Sequence, residues 1–269
     1  MEAYICTACG TQYAPGDKPP AQCAICEEER QYVPASGQSW TTLKSLAASR
    51  FNSYREHEPG LIGIGTQPAF AIGQRALLIR TPDGNVLWDC ISMLDDATVS
   101  LIKGLGGLQA MAISHPHFYT SMNDWADAFD VDVHVHAGDQ EHIVRKGPRI
   151  KLWEGETLKL TEDTTLIRGG GHFEGSSMLH WAGGANGRGI VCSSDTAYVA
   201  ADRRQVSFMR SYPNFLPLPG ERVQAIANAL APFDFDKMFG NFFESVIESG
   251  AKQAFERSVT RYLAAIGSR

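Results

Sequence analysis

Residues 108–120 read LQAMAISHPHFYT, and this stretch decides the fold. An apolar run of the buried-strand kind, Leu108 to Ser114, carries straight into His115, with His117 two residues on. On extended backbone, residues i and i+2 point to the same side, so the pattern predicts two imidazoles able to reach one metal beyond a strand end. Two later segments are built alike. The strand-like TTLIR leads into Gly169-Gly170-Gly171-His172, a third histidine on a glycine-rich bend, and GIVC leads into Ser193-Ser194-Asp195, a carboxylate at a strand end. Three imidazoles and one carboxylate at strand ends form an open donor set for a catalytic divalent metal.

Working outward, AFAIGQRALLIRT reads as strand-turn-strand, Pro82-Asp83-Gly84-Asn85 as a tight turn and VLWDC as the next strand. MLDDATVSLIKGLGG reads as an amphipathic helix stopped at Gly104 to Gly107. Asn123 to Phe129 suggests a helix and VDVHVHA a strand. IKLWEGETLKL and TTLIRGG are hairpin-like, and SSMLHWA is a further strand. Trp40 to Tyr54 reads as a short helix ended by Glu58-Pro59-Gly60, and the tail is expected to be helical over Glu221 to Leu230 and Ser245 to Ile266. Strands interleaved with helices indicate a layered α/β (α+β) architecture.

The order strand-HxH, then GGGH, then strand-Asp resembles the metallo-β-lactamase superfamily from about Gly63 onward. LLIRTPDGNVLWDC looks like that family's N-terminal strands, with Asp89 holding a turn. GGHFEGSSMLHW looks like its GHTxG segment, and SSDTAY like its GD segment. The resemblance implies a four-layer αββα sandwich with metal at the strand ends. It also implies hydrolytic or oxidoreductive chemistry of the kind found in lactamases, thioesterases, lactonases, phosphodiesterases and flavodiiron proteins. The sequence departs from the family's HxHxDH motif. Phe118, Tyr119 and Thr120 follow His117, and Asn241-Phe242-Phe243 stands where a final histidine is expected. The missing residues are those of the second metal site, so the resemblance implies one metal, zinc or iron, held by His115, His117, His172 and Asp195. Asp195 is then the ligating or water-binding carboxylate, and Tyr119 is a candidate donor to an oxyanion.

Four of the six cysteines lie in the first 26 residues, as Cys6-Thr7-Ala8-Cys9 and Cys23-Ala24-Ile25-Cys26 with 13 residues between the pairs. Such spacing reads as a closed tetrahedral metal site of the zinc-ribbon kind, which supplies folding energy that a small module lacks. YICTACGTQYAPGD resembles rubredoxin, but Glu27 replaces the usual glycine after the second pair and the loop between the pairs is much shorter. Those departures favour structural zinc over redox iron. The reading is a knuckle over residues 1–35 that braces the domain or a homodimer contact. A connecting helix and linker follow over 36–60, then a metallo-β-lactamase-like domain over 61–269.

The composition, 43% hydrophobic and 20% charged over 269 residues with net charge −6, suits a globular chain and disfavours nonspecific nucleic-acid binding. No apolar run approaches the roughly 20 residues of a membrane span, and MEAYICTACG lacks the features of a secretory leader, so a cytoplasmic location is expected. His134 and His136 form a second HxH but read as non-ligands. His57, His142 and His180 read as surface or satisfied core residues, and Cys90 and Cys192 as buried packing residues. Arg203, Arg204 and Arg210 lie in a long connection after Asp195 and read as a solvated loop. The leading functional reading is a metal-dependent hydrolase acting on an ester, thioester, lactone or phosphoester of a small molecule. The alternative is a non-catalytic binding or regulatory protein on a degraded hydrolase scaffold.

Overall fold

The computed structural model describes residues 1–267. They form two compact units. The first holds residues 1–135 and 139–152, and the second holds 136–138 and everything from Trp153 onward.

The first unit is built on a seven-stranded sheet whose strands neighbour one another in chain order. Phe51–Glu58, Leu61–Gln67, Ala76–Thr81 and Gly84–Trp88 run antiparallel, and Ala110–Ala112 and Val133–His136 then add in parallel. Parallel neighbours need a crossover, here supplied by the helices Asp96–Gly104 and Met122–Phe129. The first is started by Asp95, whose carboxylate accepts from the Thr98 N–H at 2.7 Å. The second buries Met122, Trp125, Ala126 and Phe129, an i, i+3, i+4, i+7 stripe, in the same apolar core as Ile64, Leu78, Leu87 and Met111. Side chains of this size contribute roughly 1.5–3 kcal/mol each when fully buried. The Trp125 indole also donates to the Ile91 carbonyl at 2.9 Å, so its polar edge is satisfied inside the core.

The second unit carries a six-stranded sheet. Thr157–Lys159, Thr164–Arg168, Ser177–Trp181 and Ile190–Cys192 are antiparallel in chain order. Lys237–Phe239 then lies parallel to Ile190–Cys192, and Val246–Ile247 closes the edge. The helices Gly220–Leu230 and Ala251–Ala265 bury Val223, Ile226, Ala254, Phe255 and Val259 in one core with Ile167, Met178, Val191 and Met238.

Three local expectations are corrected. The helix expected over Trp40 to Tyr54 is only Leu43–Ala47, because Phe51–Glu58 pairs with Leu61–Gln67 and sheet hydrogen bonding overrides the local helical pattern. AFAIGQR is a turn-rich connection, and only Ala76–Thr81 of that stretch is a strand. The C-terminal helix begins at Ala251, since Val246–Ile247 is taken by the sheet. No helix among the described residues is long and apolar enough to cross a membrane.

Candidate metal centres

The four N-terminal cysteines meet at one point. Their sulfurs all lie within 4.8 Å of one another, with Cys6–Cys26 and Cys9–Cys23 each at 3.6 Å. A disulfide would place two sulfurs about 2.05 Å apart. A tetrahedron with metal–sulfur bonds of about 2.3 Å places them roughly 3.8 Å apart, so the cluster fits a zinc knuckle. All four side chains are buried. Hydrogen bonds from the thiols of Cys26, Cys6 and Cys9 hold the Cys23 thiol far below its ordinary range, while the contact with Cys23 pushes Cys9 and Cys26 up, so the close sulfurs gather negative charge on Cys23.

The knuckle belongs to the first unit and is tied to the loop that carries two of the histidines. Ser92 Oγ donates to the Gly10 carbonyl at 2.8 Å, and the Gln12 N–H donates to the Thr120 carbonyl at 3.0 Å. Gln12 Nε2 reaches Asp124 at 2.7 Å, and Arg145 pairs with the same carboxylate at 2.6 Å.

In that loop the structure departs from the extended HxH geometry. His115 is extended (φ −167°, ψ 170°), but Pro116–Phe118 is a 3-10 turn, with the Phe118 N–H returning to the His115 carbonyl at 3.0 Å. A proline at the first helical position favours this turn. The two imidazoles still come together, with ring centroids 5.0 Å apart. The loop is anchored by Asp89, itself in the left-handed region (φ 57°), whose carboxylate accepts from the Ser114 N–H at 2.8 Å. Ser114 Oγ lies 2.8 Å from His115 Nδ1, which engages that nitrogen and orients the ring.

The two residues that follow are buried. Tyr119 donates its hydroxyl to the Asp139 carbonyl at 3.3 Å, and burial pushes its pKa well up, which is the setting of a packing residue. Thr120 Oγ1 lies 2.9 Å from Cys90 Sγ. Burial raises the Cys90 thiol far above its ordinary range, as expected of a packing cysteine.

The second unit brings His172 and Asp195 together. The bend before His172 needs its glycines. Gly171 has φ +83°, and a Cβ there would stand 2.8 Å from Leu218 Cδ1. His172 is fully buried, and its Nδ1 lies 3.2 Å from the Met209 carbonyl, an interaction only an N–H can make. Its Nε2 faces Asp195 Oδ2 at 3.6 Å. Ser194, in the left-handed region (φ 49°), turns the chain after Ile190–Cys192 and delivers Asp195. The other carboxylate oxygen, Oδ1, accepts from the Asn241 side-chain amide, and Tyr212 donates to the Asp195 carbonyl at 3.1 Å. Sequence reasoning noticed Asn241 only as a residue standing where a histidine was expected. Each pair is formed within its own unit, His115 with His117 in the first and His172 with Asp195 in the second.

Two of the remaining histidines are engaged by the backbone. His136 uses both ring nitrogens locally, with Nε2 at 3.2 Å from the Gly155 carbonyl and Nδ1 accepting from the Gly138 N–H at 3.0 Å. His180 Nε2 meets the Asp234 carbonyl at 2.8 Å.

No family model matches the sequence. Among solved structures, the chain superimposes on VMB-1 with a TM-score of 0.60 at 10% identity, covering 80% of this chain and 98% of that one. A variant of the metallo-β-lactamase with a HARLDQ motif from Cronobacter sakazakii gives 0.52 at 16% identity, covering 80% and 95%. A B3 metallo-β-lactamase described as the first with an active site glutamic acid gives 0.50 at 19% identity, covering 78% and 89%. The fold is thus the α/β metallo-β-lactamase fold, here with an N-terminal four-cysteine knuckle. In sequence, the chain is 44% identical over its full length to the uncharacterized protein YmaE of Bacillus subtilis (strain 168), covering 98% of that protein. The chain belongs to the same family as YmaE.

Proposed function

We propose that the chain is a metal-dependent hydrolase in which His115, His117, His172 and Asp195 hold a single zinc or iron ion, while the knuckle holds structural zinc. The observation that carries this reading is the pairing of His172 with Asp195. With Nδ1 donating to the Met209 carbonyl, Nε2 is the ring nitrogen turned toward Asp195. It faces a carboxylate oxygen of Asp195 at 3.6 Å. A divalent metal can be shared by an imidazole nitrogen and a carboxylate oxygen held face to face in a buried place. When bound, such an ion acts as a Lewis acid and brings the pKa of water to about 7.

The protein's own part is to present donors in fixed orientation. Ser114 sets His115, the Met209 carbonyl sets His172, and Asp195 keeps one oxygen for the metal or for a proton of the attacking water. Tyr119, with its hydroxyl given to the Asp139 carbonyl, takes no part in this reading. The substrate is a small molecule with an ester, thioester, lactone or phosphoester bond, met in the cytoplasm. The net charge of −6 disfavours nucleic acid as the substrate.

Elemental analysis of wild-type protein and a His115→Ala/His117→Ala variant tests the metal assignment. About two metals per chain falling to one supports it, and about one in both proteins overturns it. Metal-dependent turnover in a hydrolase screen, lost in a folded His172→Ala protein, tests the chemistry. A non-catalytic role on the same scaffold is the second reading. It is favoured by the burial of Tyr119 and Thr120 in packing roles where the resemblance would place further ligands. It predicts no metal-dependent turnover in that screen.

A further inference from the structure

Asp195 and Asn241 stand at the same end of two adjacent parallel strands. Cys192 pairs in register with Phe239, so the residues three and two positions further on leave the sheet side by side. The Ser193 N–H bonded to the Phe239 carbonyl at 2.9 Å extends the pairing to that point. There the Asn241 amide donates to Asp195 Oδ1, while Asp195 Oδ2 remains directed at His172 Nε2.

Two features set Asn241 apart from a packing residue. It is buried, and its own Oδ1 has no hydrogen-bond partner among the described residues. A buried acceptor left unpaired is a cost that an apolar side chain of the same size would avoid. The donation to Asp195 fixes the amide orientation, since a flipped amide would set oxygen against oxygen.

We propose that Asn241 is the positioning residue of the Asp195 carboxylate. Its neutral N–H occupies one carboxylate oxygen and so confines Asp195 to a single ion through Oδ2, while Oδ1 of Asn241 accepts a hydrogen bond from a water in the site. The inference rests on the metal reading given above. A hydrogen-bonded partner that orients a ligating carboxylate is typically worth about 10- to 100-fold in metal affinity.

The test is the Co(II) affinity of the histidine site, measured by chelator competition, with the knuckle metal in the same protein as reference. Asn241→Leu removes the donor and is expected to weaken Co(II) at the histidine site by about 10- to 100-fold while the knuckle keeps its metal. Asn241→Gln retains an amide N–H donor without adding a metal ligand and is expected to remain within about threefold of wild type, below that range. An Asn241→Leu affinity equal to wild type overturns the proposal. A second measurement needs no variant. In wild-type protein the Asn241 side-chain amide is expected to exchange slowly with solvent by NMR, and rapid exchange overturns the clamp even if Asn241→Leu does not fold. Failure of the metal reading is separately visible, as wild-type protein that binds no metal at its histidines while the Asn241 amide stays protected.

Discussion

The two candidate metal centres are assembled in opposite ways. The knuckle draws four identical ligands from residues 6 to 26, all within one compact unit, and their sulfurs already stand at the spacing of a tetrahedral site. The donors proposed for the second site are His115 and His117, held side by side in the first unit, and His172 and Asp195, held face to face in the second. Three of these donors are oriented by partners of their own unit, Ser114 for His115, the Met209 carbonyl for His172 and Asn241 for Asp195. A closed all-thiolate site is suited to stability, whereas a mixed set of imidazole and carboxylate leaves room for chemistry. The contrast shows that local spacing suffices to gather the cysteines, while the imidazole and carboxylate donors take their orientation from residues distant in sequence.

The sharpest way to break this comparison is to remove the knuckle metal. Structural zinc in small modules contributes on the order of 10 kcal/mol. A Cys9→Ser/Cys23→Ser variant is therefore expected to lose one metal per chain and most of the stability of the first unit. Calorimetry with and without metal checks this, and an unchanged melting profile would show that the knuckle is dispensable.

A smaller effect tests how the knuckle is tied to the rest of its unit. Arg145 and Gln12 converge on Asp124, on the helix that follows the histidine loop. The Arg145 and Asp124 side chains are about one-fifth and one-quarter exposed (19% and 26%), so screening by solvent is partial. Arg145→Met is expected to destabilise the first unit by about 1–2 kcal/mol. Chemical denaturation measures it, and a change below about 0.3 kcal/mol would make the link ornamental.

The smallest effect separates structural from ligand histidines. Burial lowers the pKa of His180 from its ordinary 6.5, partly offset by its hydrogen bond to the Asp234 carbonyl. A lowered folded-state pKa means that the unfolded chain takes up the proton first. The contribution of His180 is therefore present above about pH 6.5 and is lost as pH falls below it. Stability is expected to drop between about pH 7 and pH 5.5, by less than about 1.4 kcal/mol per pH unit from this residue. Urea unfolding at both pH values checks it, and His180→Gln should flatten the slope. An unaltered slope would assign the pH dependence to other groups.

Much of the fold was legible because its signals are local. The strand preceding His115, the helix Met122–Phe129 and the strand ending at Cys192 were all read from apolar pattern and punctuation. The misreadings share a cause, competition from distant partners. Phe51–Glu58 is a strand because Leu61–Gln67 pairs with it, and Val246–Ile247 is a strand because Phe239 and Met238 do. The expected HxH geometry is corrected too, since a 3-10 turn rather than extended backbone carries the His117 ring.

By itself, the sequence determined the donor types: four cysteines in two close pairs, three histidines and an aspartate at strand ends. Side-chain chemistry and short spacing are properties of the chain and survive any folding. Only the tertiary structure decided how those donors are aimed. Asp195 and Asn241 lie 46 residues apart and meet through parallel strand pairing. His172 receives its tautomer from a carbonyl 37 residues away. Hydrogen bonds of that kind depend on angles and distances that close only when the sheets form, and no local pattern encodes them.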